Sequence, residues 1–450
     1  MYRDTIISNI SLDTTAAESP SFTNILFVTA NAYFEDRLMA FSDIDVVKAM
    51  LPTDSNAYKG LRLALSQRNG APQPIYLGRR KVDEVVLEPS TDRLGKITQY
   101  SLTVKSTEKD LTVTHTSTTS ETAENIVEAL KNKIDNSDLT VAAADGKLTI
   151  SESSSKKLVV CDVKNMTESF TTSETAADLL AAIMEENDSD WYVMSCEDHT
   201  ETFVMAMAAE IEATGSSNTP KIYAVSSADA ETITPLVDPA DDLFGKLQEL
   251  GYIRTYPFWS HNADSVFAEL APIATNAIYQ PGVTTYKFMQ LSGVGNAADP
   301  VTGKDLRSAR LGYIADRNAS WQSRERGVDF AHGGKVAGGE WLDVIIARDW
   351  MNDRIESRLL TLLLNQVGGK IPFTPEGKQK VANVIDGVLQ ESVNLGILSG
   401  YIPTTIPEIT AFEDQAHRIL DQVKFTGFLA GAIHFINVSG KLTYKDDLIN

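Results

Sequence analysis

Two glycine-rich stretches partly match the sequence patterns of nucleotide-binding loops. Residues 333–335 (Gly-Gly-Lys) end like a phosphate-binding loop, but Val336 follows the lysine and the required upstream glycine is absent. Residues 293–298 match the looser pattern of dinucleotide-binding proteins. Because Asp299 and Pro300 follow and open no helix, a pyrophosphate would lack the helix N-terminus that binds it. Glycine-rich turns are the better interpretation of both stretches.

The histidines are scattered singly and form no metal or catalytic motif. They are His115, His199, His261, His332, His417 and His434. The sequence contains neither a G-x-S-x-G nor an H-E-x-x-H motif. Cys196, Asp198 and His199 could form a nucleophile with its base, but a polar helix cap is the simpler role at a strand-to-helix junction. The sequence therefore predicts no enzyme, no cofactor and no metal site.

Composition and charge exclude several classes of protein. The 450 residues are 43% hydrophobic and 22% charged, which is typical of a globular protein with about two to four domains. The net charge of −21 disfavours a general nucleic-acid binder, because phosphate contacts require clustered basic residues. Cys161 and Cys196 are expected as free thiols in a reducing cytoplasm. We expect neither a secretion signal nor a transmembrane helix.

Acidic and basic residues cluster near glycine-rich backbone in three places. The clusters are Asp316 with Arg317, Arg324 to Arg326, and Asp349 with Asp353 and Arg354. One interpretation is a solvated face. The other is ion pairing between subunits, because exposed pairs are individually weak and can be exchanged when an assembly rearranges.

The elements that must position these residues alternate between strand and helix patterns. A continuous apolar run at residues 25–28 predicts a strand buried on both faces. Helices capped by Ser42 and Ser55 follow, and residues 74–78 return as a strand. The same alternation resumes from residue 191 to residue 278. This order predicts an α/β layer architecture.

Residues from about 89 to 168 predict a β-rich module inserted into a surface loop. Ser and Thr occupy 12 of the 25 residues from 101 to 125, alternating with apolar residues as in a half-exposed hairpin. A helix from about residue 121 to 134, capped by Thr118, is predicted next. Two strands joined by a tight turn at residues 145–146 (Asp-Gly) complete the module.

The two ends of the chain carry isolated strand patterns. Residues 284–291 predict a further internal strand, and residues 340–366 and the stretch from Thr374 predict two long helices. Residues 433–438 then predict a strand. Near the other end, the strand predicted at residues 6–12 is either a sheet edge within its own domain or an arm that reaches elsewhere.

Three groups of residues, taken in their order along the chain, resemble the tail sheath proteins of contractile-tailed phages. The resemblance is to a branch that is often labelled by a domain of unknown function. The residues are 25–28, 41–50 and 58–79, then 281–294 (PGVTTYKFMQLSGV), and finally 341–350 (WLDVIIARDW), 371–375 (IPFTP) and 427–440. Together they span most of the chain outside the predicted insert.

The resemblance implies a mixed α/β and α+β fold with several parts. These are an N-terminal arm at 1–20, an α/β core at 21–88 and 169–330, a β-rich outer domain at 89–168, a tube-facing α+β domain at 331–433 and a C-terminal arm at 434–450.

The resemblance also implies a function in assembly. Such subunits form six-membered rings stacked around a tail tube, and their contraction drives the tube through the host envelope for genome ejection. The implied partners are other copies of the chain, the tail tube protein, and baseplate and tail terminator proteins, with no nucleic acid, no membrane insertion and no cofactor. The implied location is the virion, after assembly in the host cytoplasm.

Both chain ends are expected to add strands to a neighbour's sheet, because detached strands leave backbone groups unpaired. The arm residues expected at these contacts are Ile6, Ile7, Ile10, Leu12, Phe435, Ile436, Val438, Leu442 and Tyr444. The basic residues Arg348, Arg354 and Lys370, near the C-terminal helices, are expected to face the tube.

Two other functions stay open at this point. One is the sheath of a phage-derived injection device, which sequence does not distinguish from the sheath of an infecting phage. The other is a cytoplasmic α/β enzyme with a substrate-binding insert.

Overall fold

The computed structural model describes residues 20–68, 74–105, 110–135, 139–152, 158–365, 369–407 and 411–440. The chain divides into two compact units. The described residues of the larger unit lie within Glu18–Arg354, and those of the smaller one lie within Ile355–Asn450.

The larger unit contains most of the strands and helices. Its strands are β1 (Ile25–Ala30), β2 (Leu38–Phe41), β3 (Ile75–Arg80), β4 (Glu84–Pro89), β5 (Gln99–Lys105), β6 (Leu111–Thr116), β7 (Leu139–Ala144), β8 (Lys147–Glu152), β9 (Val159–Lys164), β10 (Met166–Thr171), β11 (Val193–Cys196), β12 (Ile222–Ser227), β13 (Thr255–Trp259), β14 (Trp321–Glu325) and β15 (Val328–His332). Its helices are α1 (Ile44–Met50), α2 (Asn56–Leu65), α3 (Ala123–Lys131), α4 (Ala176–Glu186), α5 (Glu201–Ala213), α6 (Leu243–Glu249), α7 (Leu270–Asn276), α8 (Ser308–Asp316) and the first part of α9 (Leu342–Leu364).

A central sheet organises the larger unit. Within the described residues its strand order is β13-β12-β11-β1-β3-β2, and all neighbours are parallel except β2. Ile25 of β1 pairs with Ile75 on one side and with Val193 on the other. The inner strands are buried along their length, as expected for a sheet with helices on both sides.

Helices cover both faces of the sheet because successive side chains of β1 point to opposite sides. Leu26 and Val28 belong to one hydrophobic core, to which α4 and α5 also contribute. Phe27 faces the other side, where its ring centroid lies 4.7 Å from that of Phe267. Gly60 of α2 lies directly against the Phe27 ring. The predicted α/β layers are therefore confirmed.

Between β3 and α4 the chain forms two antiparallel sheets around a separate hydrophobic core. Their strand orders in the described residues are β10-β4-β8-β7 and β6-β5-β9. The buried residues of this core include Leu87 of β4, Leu102 of β5 and Leu130 of α3. The predicted turn at residues 145–146 joins β7 to β8 with both residues at positive φ, 52° and 72°. The limits predicted for an inserted domain, 89–168, stay a prediction.

The smaller unit contains the last part of α9 and the elements that follow it. These elements are α10 (Pro375–Asn394), β16 (Leu398–Thr405), α11 (Phe412–His417) and β17 (Lys424–Leu429). Strands β16 and β17 form an antiparallel hairpin with two irregular steps in register. Together with the larger unit, these elements confirm the predicted mixture of α/β and α+β structure.

Two strand predictions are wrong. Residues 284–291 are not a strand, since Phe288 has a φ of 68°, which interrupts an extended chain. Only a short pairing remains, in which the Phe288 amide donates to the Ala331 carbonyl and the Ala331 amide to that of Met289. Residues 433–438 also form no strand.

Two cap predictions are shifted. Helix α1 is capped by Asp43 rather than Ser42, with the Asp43 carboxylate accepting from the Asp45 amide at 2.7 Å. A carboxylate also interacts favourably with the positive end of the helix dipole. Helix α3 is capped by Thr122 rather than Thr118, because Thr122 and Asn125 form a reciprocal capping box. The predicted cap at Ser55 is confirmed.

Candidate assembly surfaces

Helix α10 is the framework of the smaller unit. Thr374 caps its start by accepting a hydrogen bond from the Gly377 amide at 3.3 Å, and Pro375 occupies the first turn. Gly396, with a φ of 79°, follows its end. Ile385 and Leu389, four residues apart, are buried on one face. The predicted start of this helix at Thr374 is therefore confirmed, and α10 packs against β16.

The hairpin β16–β17 is buried only at its base. Leu398 is 4% exposed and lies against Gly427, whereas Ile402, Phe425 and Phe428 are 50%, 42% and 50% exposed. In the described residues these two strands form a sheet of their own, so each has an outer edge without a strand partner. An apolar two-stranded sheet is marginal alone, and its edges can receive another chain.

The chain continues from this hairpin into an exposed apolar tail, residues 433–438. Ile433, Phe435, Ile436 and Val438 are 79%, 80%, 79% and 88% exposed. Phe435 and Ile436 are neighbours, so an extended chain would point them to opposite sides, and both side chains are largely exposed. Contiguous exposed apolar surface marks an interaction site. The apolar tail is therefore a candidate contact with another molecule.

The predicted arm residues divide between the described and the undescribed parts of the chain. Phe435, Ile436 and Val438 lie in the apolar tail. The others lie outside the described residues: Ile6, Ile7, Ile10, Leu12, Leu442 and Tyr444. The predicted N-terminal arm thus stays a prediction.

The three basic residues expected at the tube have different surroundings. Arg348 is half-exposed, and its Nη2 lies 3.0 Å from Asp349 Oδ1. The Arg354 guanidinium lies 5.5 Å from the ring centroid of Trp350. Lys370 is exposed in the segment before α10. Arg348 and Arg354 both belong to the larger unit and Lys370 to the smaller one, and their predicted role stays a prediction.

The described chain begins at Pro20, on the wall of a cavity of about 340 Å³ in the larger unit. Tyr279, Trp350 and Arg354 also line this cavity. Close by, the ring centroid of Phe22 lies 5.1 Å from that of Tyr192. An aromatic contact thus joins the first described residues to the segment that precedes β11.

Two of the three charged clusters contain buried residues, which corrects their interpretation as a solvated face. Arg317 and Asp242 are both 0% exposed, and Arg317 Nε donates to Asp242 Oδ2 at 2.6 Å. Asp349 is 4% exposed and accepts from Arg254 Nη1 at 2.7 Å. The partners of Arg317 and Asp349 are Asp242 and Arg254, which lie far away in the sequence. The charges next to Arg317 and Asp349 in the sequence therefore did not predict these buried ion pairs. Only the cluster with Arg324 is exposed.

Of the residues considered for nucleophilic chemistry, Cys196 and the His199 side chain are largely buried, whereas the Asp198 side chain is 24% exposed. Cys196 is 1% exposed, and burial raises the pKa of its thiol to about 12. His199 Nε2 lies 3.6 Å from Glu269 Oε1, to which the Ser195 hydroxyl donates at 2.6 Å. His199 thus faces the interior rather than capping α5. Across the described ranges, no His, Cys, Asp or Glu residues form a metal-binding group, and no helix is long and apolar enough to span a membrane.

One family model matches part of the sequence. Residues 342–405 match the family model "E217 tail sheath protein gp31-like, C-terminal domain". This stretch begins with α9 and contains α10 and β16. No curated protein matches the sequence.

Solved structures share the fold of nearly the whole chain. A chain of the anti-feeding prophage (AFP) baseplate matches with a TM-score of 0.53 and 11% identity, covering 99% of both chains. A chain of the AFP helical sheath in its contracted state has the same score and identity, covering 98% of this chain and 99% of that chain. The sheath tail protein Lin1278 from Listeria innocua has a TM-score of 0.48 and 10% identity, covering 93% and 97%.

These findings confirm the resemblance predicted from sequence. The chain is similar to contractile tail sheath proteins, with a match to a sheath C-terminal domain at residues 342–405 and a fold shared with the AFP sheath along nearly its full length.

Proposed function

We propose that this chain is the sheath subunit of a contractile tail, polymerising as stacked hexameric rings around a tail tube. Contraction of this sheath drives the tube through the host envelope. The observation that carries the proposal is the apolar tail beside an open-edged hairpin, in the unit that matches the sheath family model. The role is structural rather than catalytic.

In the proposed assembly, the apolar tail of one subunit adds as a strand to the β16–β17 hairpin of a neighbour. Four large apolar side chains are at least 79% exposed in the tail. Burying each would stabilise the contact by about 1.5–3 kcal/mol before ordering costs. The added strand would also pair the outer edge of the hairpin. The N-terminal arm would add a second strand in the same manner.

Contraction follows if the extended lattice is metastable and the arms act as hinges. Subunits could then rotate as rigid bodies while the exchanged strands stay paired. Rotation would bury more surface between subunits, which supplies the driving force. Exposed pairs such as Arg324 with Asp329, at 2.7 Å, suit this change because weak pairs are easily exchanged.

The proposed partners are the tail tube, with Arg348, Arg354 and Lys370 as contacts, and the baseplate and terminator proteins. A phage-derived injection device is the second candidate, favoured by the fold shared with AFP chains. Capsid and portal genes beside this gene would indicate a phage. The particle would be assembled in the host cytoplasm.

Electron microscopy of the purified full chain tests the proposal. The wild-type chain should form rings or hollow tubes, whereas Ile436→Asp should remain a folded monomer, because a charge cannot be buried in the strand-exchange contact. The matched control is Val301→Asp, at a residue that is 92% exposed in the larger unit. This control should assemble normally.

Truncation of residues 1–18 should likewise leave a folded chain that does not polymerise. Normal tubes from both this truncation and Ile436→Asp would refute the strand-exchange contacts. A wild-type chain that stays monomeric under all assembly conditions would refute the sheath function itself.

A further inference from the structure

A buried carboxylate joins the end of β11 to the start of α7. Glu269, which directly precedes α7, is 0% exposed. The hydroxyl of Ser195 in β11, a residue that is also fully buried, donates to Glu269 Oε1 at 2.6 Å. Glu269 Oε2 is buried and has no hydrogen-bond partner among the described residues. One hydroxyl group compensates poorly for the hydration that a buried carboxylate loses.

His199 is the group beside this carboxylate that can become a cation. It lies between β11 and α5, its side chain is 8% exposed, and its Nε2 lies 3.6 Å from Glu269 Oε1. The Phe267 ring meets the imidazole edge to face, with centroids 5.7 Å apart at 70°. Because apolar surface and burial keep water away, the attraction between an imidazolium and a carboxylate is strong here.

The charged groups that act on His199 favour its protonated form. Besides Glu269, the carboxylates of Asp264 and Asp198 add negative charge. Asp198 is itself bound by Arg80 at 2.9 Å, so Glu269 is the direct partner of the imidazole. Burial alone lowers the pKa of His199, but the three carboxylates outweigh this effect and raise the pKa above its ordinary value.

We propose that His199 and Glu269 form a buried imidazolium–carboxylate pair that holds the segment before α5 and the start of α7 against β11 while His199 is protonated. Loss of this proton leaves the Glu269 charge buried with the Ser195 hydroxyl as its donor, which is unfavourable. The buried pair thus makes the stability of the larger unit sensitive to pH. This inference goes beyond the sheath function and does not depend on it.

The raised pKa of His199 fixes the sign of the pH dependence. The folded chain binds the proton more tightly than the unfolded chain does, so the stabilisation is complete below the ordinary histidine pKa of about 6.5. It is lost as the pH rises through the raised pKa of the folded chain. Burial also raises the pKa of Glu168 to about 7 and that of Asp343 to about 6, so a variant of His199 is needed to isolate its contribution.

Solid-state ¹⁵N NMR of the full chain, labelled at its histidines, tests the protonation of His199. The two ring nitrogens of an imidazolium differ in chemical shift from those of a neutral ring, and His199→Gln identifies the signals of His199. These signals should turn neutral at a higher pH than the ordinary pKa of about 6.5. Glu269→Gln should lower that pH, whereas Glu128→Gln, at an exposed residue of α3, should leave it unchanged.

Urea denaturation tests the consequence for stability. The wild-type chain should have a higher urea midpoint than His199→Gln at pH 6, and the difference should shrink at pH 9, where the proton is lost from both chain states. The matched control His417→Gln changes an exposed histidine. Its midpoint should differ from that of the wild-type chain by the same small amount at both pH values.

Two results would overturn the proposal. One is a His199 signal in the wild-type chain that turns neutral at or below the ordinary histidine pKa, a measurement that requires no folded variant. The other is a difference between the wild-type chain and His199→Gln that is equal at pH 6 and pH 9. Circular dichroism checks that each variant folds before it is compared.

Discussion

At the scale of single residues, buried ion pairs hold distant segments of the larger unit together. Asp349 of α9 accepts from Arg254 Nη1 at 2.7 Å and from the Tyr192 hydroxyl at 2.9 Å. Arg254 precedes β13 and Tyr192 precedes β11, so one carboxylate joins α9 to two strands of the central sheet. Because all three groups are nearly inaccessible to solvent, removing one leaves the others without compensation.

Asp349→Ala should therefore lower the free energy of unfolding by about 3–5 kcal/mol, since it leaves the Arg254 charge buried and unpaired. Urea denaturation followed by circular dichroism measures this. The matched control is Asp329→Ala, which removes an exposed partner of Arg324 and should shift the urea midpoint much less. Equal shifts for the two variants would contradict the role assigned to the Asp349 pair.

At the scale of elements, the close packing of α2 on β1 depends on the absence of a side chain at Gly60. A Cβ at this position would overlap the Phe27 ring. Gly312 of α8 provides a contrast, since a Cβ there would meet nothing within 4 Å. A glycine inside a helix is otherwise unfavourable because it adds backbone freedom to the unfolded chain. The two glycines should thus respond in opposite ways to the same substitution.

Gly60→Ala should destabilise the larger unit by about 1–3 kcal/mol, because α2 must move away from the sheet. Gly312→Ala should stabilise it by about 0.5–1 kcal/mol through helix propensity. Thermal unfolding of both variants beside the wild-type chain measures the two effects. An unchanged or raised midpoint for Gly60→Ala would show that α2 does not pack on Phe27 as described.

At the scale of the whole molecule, the two strands that lead into and out of the 90–165 segment are paired. Pro89 of β4 lies opposite Met166 of β10 in an antiparallel register. The Ser90 amide also donates to the Asn165 carbonyl at 3.0 Å. The segment between them supplies most residues of a hydrophobic core to which Val85 and Leu87 of β4 also belong. A short turn could therefore replace the whole segment without separating β4 from β10.

Replacing residues 90–165 with Asn-Gly should leave a folded chain, provided that Val85→Thr and Leu87→Thr are introduced as well. Both residues are buried in the core that the deletion removes, and they would otherwise be exposed. Thermal unfolding should still be cooperative, and electron microscopy should still show rings or tubes. A shortened chain without a cooperative transition would contradict the predicted domain division.

Much of the element order could be predicted from sequence because periodicity and capping act over a few residues. The predicted turn at residues 145–146 joins β7 to β8, and Ser55 caps α2 as expected. The predictions from sequence fail where two local structures suit the same residues. Residues 284–291 have a strand-like pattern, but the positive φ of Phe288 ends the extended conformation. Thr118 and Thr122 both suit a helix cap, and the reciprocal bond with Asn125 selects Thr122.

By itself the sequence determined the alternation of strands and helices, the apolar character of the tail at residues 433–438 and the resemblance to tail sheath proteins. Tertiary structure alone decided that Arg254 meets Asp349, 95 residues away, and that Arg317 meets Asp242, 75 residues away. Local propensities depend on neighbours in sequence, whereas burial and ion pairing depend on which segments pack together. A charged residue looks the same in the sequence whether it lies on a solvated surface or in a buried site. Only the packing of distant segments distinguishes the two environments.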